Sequence, residues 1–319
     1  MLTACFREYF EASMNDPIYV ILGVQGSGTN LLARLLTRLF GFSIMRDRAS
    51  VFNAAGRLGP APSPRDVERE IARFRKLVRP SRLRRMTSKY AIRNREPLEG
   101  IFSELVPSAV NSGADFARLI YAYRAYSLGA SHAGIKSDDL WENIHLIDHV
   151  IPNRRVILLT RDFRDNLVSI SGKRFGPIEP LRAAHYVKNQ IGIYAREFRR
   201  AGESGHHITF EALLNDTRQF AEDLARHFSL KPIVDLDSAI PALQFRPNKI
   251  GKWKALSQRE LSLCEGVLHA ELIEFGYQPT TPAPVLPSAV DMAVATARDT
   301  FKRLPQKLRR LGERAKTEA

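Results

Sequence analysis

Short hydrophobic runs bounded by turn residues alternate along this chain with longer stretches of helical periodicity. Four runs rich in β-branched or aliphatic residues predict strands: Ile18–Leu22, His132–Lys136, Arg155–Thr160 and His206–Phe210. Eight stretches predict helices: Leu31–Leu39, Asp66–Leu83, Asp115–Leu128, Glu142–His149, Asp165–Ser171, Pro180–Ala201, Phe220–Phe228 and Gln258–Phe275. Strands that alternate with long helices pair in parallel, so the fold class is α/β, a three-layer sandwich with a central parallel sheet. Ligands of such sheets bind beyond the carboxyl ends of the strands.

The segment after the first predicted strand carries the strongest chemical signal. It reads Gly-Val-Gln-Gly-Ser-Gly-Thr-Asn from Gly23 to Asn30, and a helix follows at once. Free backbone N–H groups and a helix N-terminus at one place suit a phosphate or sulfate. The candidates for contact with this anion are Gln25, Gly26, Ser27, Gly28, Thr29 and Asn30.

This loop resembles the Walker loop, Gly-x-x-x-x-Gly-Lys-Ser/Thr, but differs from it at the reactive positions. Gly23 and Gly28 keep the glycine spacing, whereas Thr29 and Asn30 replace the lysine and the hydroxyl that binds magnesium. A P-loop NTPase-like fold with this loop can hold an anion without the groups that activate a nucleoside triphosphate and its metal. The sequence therefore predicts a phosphate loop for a different donor.

Two further segments are suited to anions. Arg161 ends the third predicted strand, and Ser169 lies eight residues later on the next helix, where its hydroxyl can assist. Without a ligand, this segment would be a surface helix with weak Arg–Asp pairs. The other segment is a basic loop with a glycine and an aromatic ring, and its candidate residues are Arg246, Lys249, Gly251, Lys252 and Trp253. Three anion sites in one α/β domain predict a nucleotide with phosphates at both ends of its ribose.

The order of these motifs, from residue 18 to about 277, resembles the sulfotransferases that use 3′-phosphoadenosine-5′-phosphosulfate (PAPS), in particular bacterial members. The resemblance implies that the loop holds the 5′-phosphosulfate and that Arg161 and Ser169 hold the 3′-phosphate. It also implies that the basic loop closes over the nucleotide through Arg246, Lys249 and Lys252. Phe210 would lie beside the adenine, where the family's Tyr-Glu-x-Leu element has tyrosine. PAPS would be the co-substrate, adenosine 3′,5′-bisphosphate the product, and no metal is expected.

The chain departs from this family where the loop usually reads Pro-Lys/Arg-Ser-Gly-Thr. Gln25 and Gly26 stand in place of the first two residues, so the cation that neutralises the leaving oxygen is missing there. Such a charge is worth a few kcal/mol in a transition state. Lys136 is the first candidate to replace it, and the basic loop around Lys249 and Lys252 is the second. If neither group takes this role, the protein would bind the nucleotide but catalyse the transfer poorly.

The general base is expected near Lys136, where Gly-Ile-Lys-Ser-Asp-Asp resembles the bacterial Gly-x-Lys-x-Pro pattern. Asp138 is the leading candidate and Asp139 the second, whereas His132 and Asp47 are weaker alternatives. Both aspartates could instead cap the following helix. A neighbouring lysine also lowers the pKa of an aspartate, which weighs against a strong base.

Charge bears on the partners and on the domain organisation. The chain has 319 residues with 48 Lys and Arg against 34 Asp and Glu, a formal charge of +14. Basic residues concentrate between Arg65 and Arg95 and after Arg298, which favours an anionic ligand or membrane surface.

We predict a sulfotransferase domain at 1–277 with an acceptor-binding helical insertion at about 46–130, a proline-rich linker at 278–287 and a basic helical tail at 288–319. The acceptor would be a carbohydrate or glycolipid.

Other features favour a cytoplasmic protein, with peripheral contact at the inner membrane face through the tail. Two distant cysteines, Cys5 and Cys264, indicate no disulfide framework, and the chain shows neither an apolar signal core nor a membrane-spanning run.

Two other functions stay open. A P-loop kinase or NTPase with a degenerate loop would need the Walker lysine, which is absent here. A non-catalytic basic protein that binds nucleotides or nucleic acid would explain the charge but not the spacing of Arg161 and Ser169.

Overall fold

The computed structural model describes residues 2–45, 50–77, 110–137, 139–173, 176–241, 250–282 and 284–302. The elements are, in chain order, α1 (Leu2–Ala12), β1 (Ile18–Leu22), α2 (Thr29–Phe40), β2 (Phe42–Met45), α3 (Ser50–Leu58), α4 (Pro64–Leu77), α5 (Gly113–Ser127), β3 (His132–Ile135), α6 (Leu140–Asn143), α7 (Ile147–Val150), β4 (Arg154–Thr160), α8 (Phe163–Ser171), α9 (Pro180–Ala201), β5 (Gly205–Thr209), α10 (Phe210–Asn215), α11 (Thr217–Phe228), α12 (Leu236–Ala239) and α13 (Gln258–Glu274). A last helix, α14, covers 289–302.

The five strands form one parallel sheet in the order β2-β3-β1-β4-β5. Val20 of β1 lies beside Ile135 of β3 on one side and beside Val156 of β4 on the other. The carboxyl ends of these three strands therefore meet at one edge of the sheet, and the segments that follow them converge there. This arrangement confirms the predicted α/β fold with a central parallel sheet.

Helices cover both faces of the sheet because the central strands β1 and β4 carry apolar side chains on both faces. Val20 and Leu22 pack on one face with side chains of α5, α9 and α13, and Tyr19 and Ile21 pack on the other with α2 and α11. Full burial of such a side chain contributes about 1.5–3 kcal/mol, so this core fixes the sheet edge that carries the motifs.

The four predicted strands are confirmed to within one residue at each end. A fifth strand, β2, was not predicted because it is only four residues long and follows directly on α2. Gly41 adopts the left-handed conformation (φ 68°) that ends α2 and allows this immediate reversal. The prediction of one helix over Glu142–His149 is wrong, since α6 and α7 are separated there by a 3-10 turn.

The C-terminal segments lie against the domain. Glu265 of α13 accepts hydrogen bonds from the N–H groups of Thr280 (2.9 Å) and Thr281 (2.8 Å). Asp299 of α14 accepts one from the N–H of Glu179 (3.1 Å) and one from Arg182 (3.2 Å). The boundary near 277 stays a prediction. No helix in the described part of the chain is long and apolar enough to cross a bilayer.

Candidate active site

Glycine is required at two positions of the loop that joins β1 to α2. Gly26 has φ 91° and Gly28 has φ 98°, in the left-handed region that side chains disfavour. A Cβ on Gly28 would lie 2.5 Å from the Phe210 ring, and one on Gly26 would lie 3.0 Å from Cβ of Ser169. The loop thus packs between Phe210 and Ser169. A lysine or arginine at position 26 would be strained in this conformation.

Gln25 is held in place by side chains from α8 and α9. Its N–H donates to Oε1 of Gln190 (3.2 Å), its carbonyl accepts from Nδ2 of Asn166 (3.2 Å), and its Oε1 accepts from the hydroxyl of Tyr186 (3.2 Å). Hydrogen bonds therefore fix this position, where the resemblance leads one to expect proline. Asn166, Tyr186 and Gln190 were not predicted as site residues, because no local pattern in the sequence points to them.

Arg161 connects the second anion-binding motif, Arg161–Ser169, to the loop. The residue is 2% exposed, and its Nη1 donates to the carbonyl of Gly26 (3.1 Å). Its Nη2 donates to Oδ2 of Asp165 (2.9 Å), which is fully buried one helical turn later. The guanidinium carbon also lies 5.1 Å from the centre of the Phe210 ring. The motif thus supplies a fixed cation at the carboxyl edge of the sheet.

Asp165 also joins the second motif to the third motif, which is the basic loop that runs from Arg246 to Trp253. Its Oδ2 accepts from the N–H of Gly251 (2.8 Å), and its Oδ1 accepts from the N–H of Trp253 (3.2 Å). The side chain that caps α8 is that of Asp162, so the carboxylate of Asp165 is free for these contacts. The sequence feature that could have pointed to this role of Asp165 is its position four residues after Arg161, which is the spacing of a helical ion pair. Gly251, Lys252 and Trp253 lie at this junction, whereas Arg246 and Lys249 lie outside the described residues.

A buried ion network packs against the ring of Trp253 in the third motif. Arg164 lies 4.2 Å from the centre of the Trp253 ring and pairs with Asp162 (2.8 Å) and Glu265 (2.6 Å). Burial alone would lower the pKa of Arg164, but its bonds to these two carboxylates raise it above the ordinary value.

Glu265 titrates well below its ordinary range. Burial alone would raise its pKa, but hydrogen bonds from Thr281 and Thr280, together with that from Arg164, lower the pKa to about 2. The carboxylate is thus charged at any physiological pH and keeps Arg164 in place.

Phe210 and Glu211 close the β5 side of the site. Phe210 is buried against Gly28, as already described, and Glu211 accepts hydrogen bonds from the N–H of Asp162 (3.1 Å) and the hydroxyl of Tyr277 (2.9 Å). Burial, reinforced by the charge of Glu211, raises the pKa of Tyr277 far above its usual value. Tyr277 thus stays protonated and donates its hydrogen.

The β3 side of the loop contains the candidates for catalysis. Lys136 follows β3, is 5% exposed, and its N–H donates to the carbonyl of Met45 (2.8 Å). The N–H of Asp139 donates to Oγ of Ser137 (3.2 Å). Asp139 is the N-cap residue of α6, but its carboxylate makes no capping hydrogen bond. Asp138, like Asp47, lies outside the described residues. Trp141 follows, 6.0 Å from Tyr186 in an edge-to-face contact.

His132 lies at the other end of β3 from these residues. Its ring contacts Tyr19 and Phe42, and burial lowers its pKa. This position separates His132 from the edge of the sheet where the motifs meet.

Buried polar atoms around the loop fit a bound polar group. Within the described residues, Oγ of Ser27, Nε2 of Gln190 and Oδ1 of Asn166 are buried without a hydrogen-bond partner. Each such atom costs about 1–3 kcal/mol unless a ligand or water satisfies it. The described residues hold no group of three or more His, Cys, Asp or Glu side chains arranged to bind a metal ion.

Comparison with known protein families matches residues 17–234, more than half of the chain, to the sulfotransferase family. The chain belongs to this family. The motifs of the loop and of Arg161–Ser169 lie within the matched residues, whereas the third motif follows them. No curated protein matches the sequence significantly.

One solved sulfotransferase structure shares the fold, and a second is given beside it for comparison. The sulfotransferase domain from the Synechococcus PCC 7002 olefin synthase has a TM-score of 0.52 and 17% identity, over 82% of this chain and 95% of that one. Sulfotransferase STF9 from Mycobacterium avium has a TM-score of 0.47 and 12% identity, over 85% of this chain and 80% of that one. At such identities the first likeness supports the fold alone.

Proposed function

We propose that this sulfotransferase transfers a sulfuryl group from PAPS to a hydroxyl or amine of a carbohydrate or glycolipid. The observation that carries the donor assignment is the position of Arg161, which bonds the loop at Gly26 and, through Asp165, the third motif at Gly251 and Trp253. Three segments that suit anions thus meet at one buried side chain. A nucleotide with phosphates at both ends matches this arrangement.

The roles proposed for individual residues are those that the resemblance to PAPS-dependent sulfotransferases implies. The loop from Gln25 to Asn30 would hold the 5′-phosphosulfate, and Arg161 with Ser169 would hold the 3′-phosphate. Phe210 would contact the adenine, and the third motif would cover the nucleotide. The left-handed glycines and the unsatisfied buried atoms around the loop support the first of these assignments.

Transfer requires removal of a proton and neutralisation of a developing charge. The acceptor oxygen or nitrogen attacks sulfur, the bond from sulfur to the bridging oxygen breaks, and the proton passes to a base. We assign the base to Asp138 or Asp139; the carboxylate of Asp139 is not used in capping. Lys136 would neutralise the leaving oxygen, since it follows the strand next to β1 and position 26 is a left-handed glycine.

Calorimetric titration tests the donor assignment. Adenosine 3′,5′-bisphosphate should bind with micromolar or lower Kd, ATP with magnesium should bind weakly, and Arg161→Ala should abolish bisphosphate binding. Arg155→Ala is the matched control, because Arg155 lies on β4, the strand that leads into Arg161, but donates to the carbonyl of Phe228 (2.8 Å). Tight binding of ATP with magnesium would favour a P-loop kinase or NTPase. Failure to bind either nucleotide would favour a non-catalytic basic protein.

The glycolipid and membrane part of the proposal rests on the C-terminal helix. Leu286, Val290 and Phe301 are 79%, 71% and 78% exposed, and the last two share one face of α14 with Val294. In the sequence the same spacing continues through Leu304, Leu308 and Leu311, with basic residues between them. An exposed apolar face beside basic side chains suits the surface of an anionic membrane.

Vesicle co-sedimentation tests this part separately. The protein should sediment at low salt with vesicles containing phosphatidylserine but not with neutral ones, and Phe301→Glu should weaken this binding. Thr296→Glu, on a different face of the same helix, is the control. Absence of co-sedimentation would reject the membrane contact and leave the donor assignment intact.

A further inference from the structure

We infer that Asp165 is a positioning residue that makes recognition of the nucleotide's 3′-phosphate depend on the segment Ile250–Ala255, here called the closing segment. This inference rests on the proposed function and adds to it. It assigns a role to a buried carboxylate that touches both the cation expected to bind the phosphate and the segment expected to cover it.

Both carboxylate oxygens of Asp165 face hydrogen-bond donors. Oδ2 accepts from Arg161 (2.9 Å) and from the N–H of Gly251 (2.8 Å), while Oδ1 accepts from the N–H of Trp253 (3.2 Å). The side chain is fully buried, so water does not replace these bonds when one of them is lost. Asp165 therefore holds a guanidinium and two backbone amides in one fixed arrangement.

The partners of Asp165 come from distant parts of the chain. Arg161 precedes it by one helical turn and bonds Gly26 of the loop, while Gly251 and Trp253 lie 86 and 88 residues later. The closing segment also carries Lys252 and Lys254. One carboxylate thus orients the arginine and holds a second source of positive charge beside it.

A shared partner couples the two groups thermodynamically. When an anion binds Arg161 in the orientation that Asp165 imposes, the order of the closing segment is favoured, and an ordered closing segment in turn favours the anion. A ligand without the 3′-phosphate gains nothing from this coupling. The role of Asp165 should therefore appear in the discrimination between nucleotides rather than in their binding as such.

Asp165→Asn removes this role with little change in shape. An amide has one acceptor oxygen and one NH₂ group, so in either orientation the NH₂ group would face a donor that the carboxylate now satisfies. Either the bonds of Arg161 and Gly251 or that of Trp253 is then lost.

Glu197→Gln is the matched control. Glu197 is likewise a buried carboxylate that pairs with an arginine, but that arginine is Arg154 (2.6 Å). The control thus breaks a buried ion pair whose bonds go to Arg154 and Arg200 rather than to Arg161 or the closing segment.

The experiment compares adenosine 3′,5′-bisphosphate with AMP by calorimetry on the full chain. The ratio of the Kd for AMP to the Kd for the bisphosphate should fall by at least about tenfold in Asp165→Asn and stay within about twofold of wild type in Glu197→Gln. An unchanged ratio in Asp165→Asn, or an equal fall in both variants, would overturn the inference while leaving the donor assignment standing. If the wild-type protein does not bind the bisphosphate, the donor assignment itself fails, and the inference fails with it.

A measurement on the wild-type protein covers the case in which Asp165→Asn does not fold. Hydrogen exchange at the amides of Gly251 and Trp253 should be slowed more by saturating adenosine 3′,5′-bisphosphate than by saturating AMP. Equal protection by the two nucleotides would contradict the coupling.

Discussion

The two sides of the loop between β1 and α2 are built differently. On the β4 side, Arg161, Arg164 and Asp165 form a buried network that reaches the loop, the closing segment and α13. On the β3 side, the bonds described for Lys136 and Asp139 involve their backbone N–H groups. A fixed network suits a single donor, because preorganised charges need no rearrangement when it binds. The β3 side instead carries the groups proposed for proton removal and for neutralisation of the leaving oxygen.

The largest expected effect on nucleotide binding comes from Gly28→Ala, which should weaken bisphosphate binding by a factor on the order of 100 or more. The added Cβ would meet the Phe210 ring at 2.5 Å in a left-handed backbone (φ 98°). Calorimetry measures the loss. Gly59→Ala is the control, since Gly59 is also left-handed but a Cβ added to it would have nothing within 4 Å, and binding should persist in this variant. Near-normal affinity in Gly28→Ala would show that the β4 side is less rigid than described.

On the β3 side, Lys136→Ala should lower kcat by roughly 10²–10³-fold, because it removes the proposed cation at the leaving oxygen. The Kd for adenosine 3′,5′-bisphosphate should stay within about threefold of wild type. The measurement is release of the bisphosphate from PAPS, with water or a glycan as acceptor. Lys136→Arg should recover part of the rate. A parallel loss of rate and nucleotide affinity would place Lys136 on the donor side instead.

The third prediction concerns the pH dependence of stability. Because the folded-state pKa of Glu265 is lowered to about 2 from an ordinary 4.5, its contribution is present above about pH 4.5 and is lost as the pH falls toward 2. Glu265→Gln should reduce the free energy of unfolding at pH 7 by on the order of 3 kcal/mol and flatten the acid dependence. Urea unfolding at several pH values tests this. Glu274→Gln, whose side chain is 47% exposed, should change little.

The last prediction, with the smallest expected effect, concerns the reactivity of the two cysteines toward a thiol reagent. Burial, with nearby carboxylates, raises the pKa of Cys264 on α13 to about 12, whereas Cys5 is exposed. Native protein at pH 8 should therefore react with iodoacetamide at one thiol, and Cys5→Ser should abolish the reaction. Labelling of Cys264 at a comparable rate would mean that α13 opens from the network beside it.

Local pattern pointed to much of the proposed donor site. The loop glycines, Arg161 and Ser169 could be picked out because each belongs to a short motif at the end of a strand. The partners of Gln25 could not, since Gln190 is 165 residues away and belongs to an ordinary amphipathic helix. The sequence does not single out the proposed base, because Asp138 and Asp139 fit a helix start as well as a base.

The sequence by itself determined the class of sheet, the positions of four strands in the chain and the residues that suit anions, because hydrophobic periodicity and glycine spacing are local properties. Only the tertiary structure decided that β1 lies between β3 and β4 and that Asp165 joins Arg161 to Gly251. Strand order brings together side chains that are far apart in the chain. A buried carboxylate is assigned to its partners only when those segments have been packed against one another.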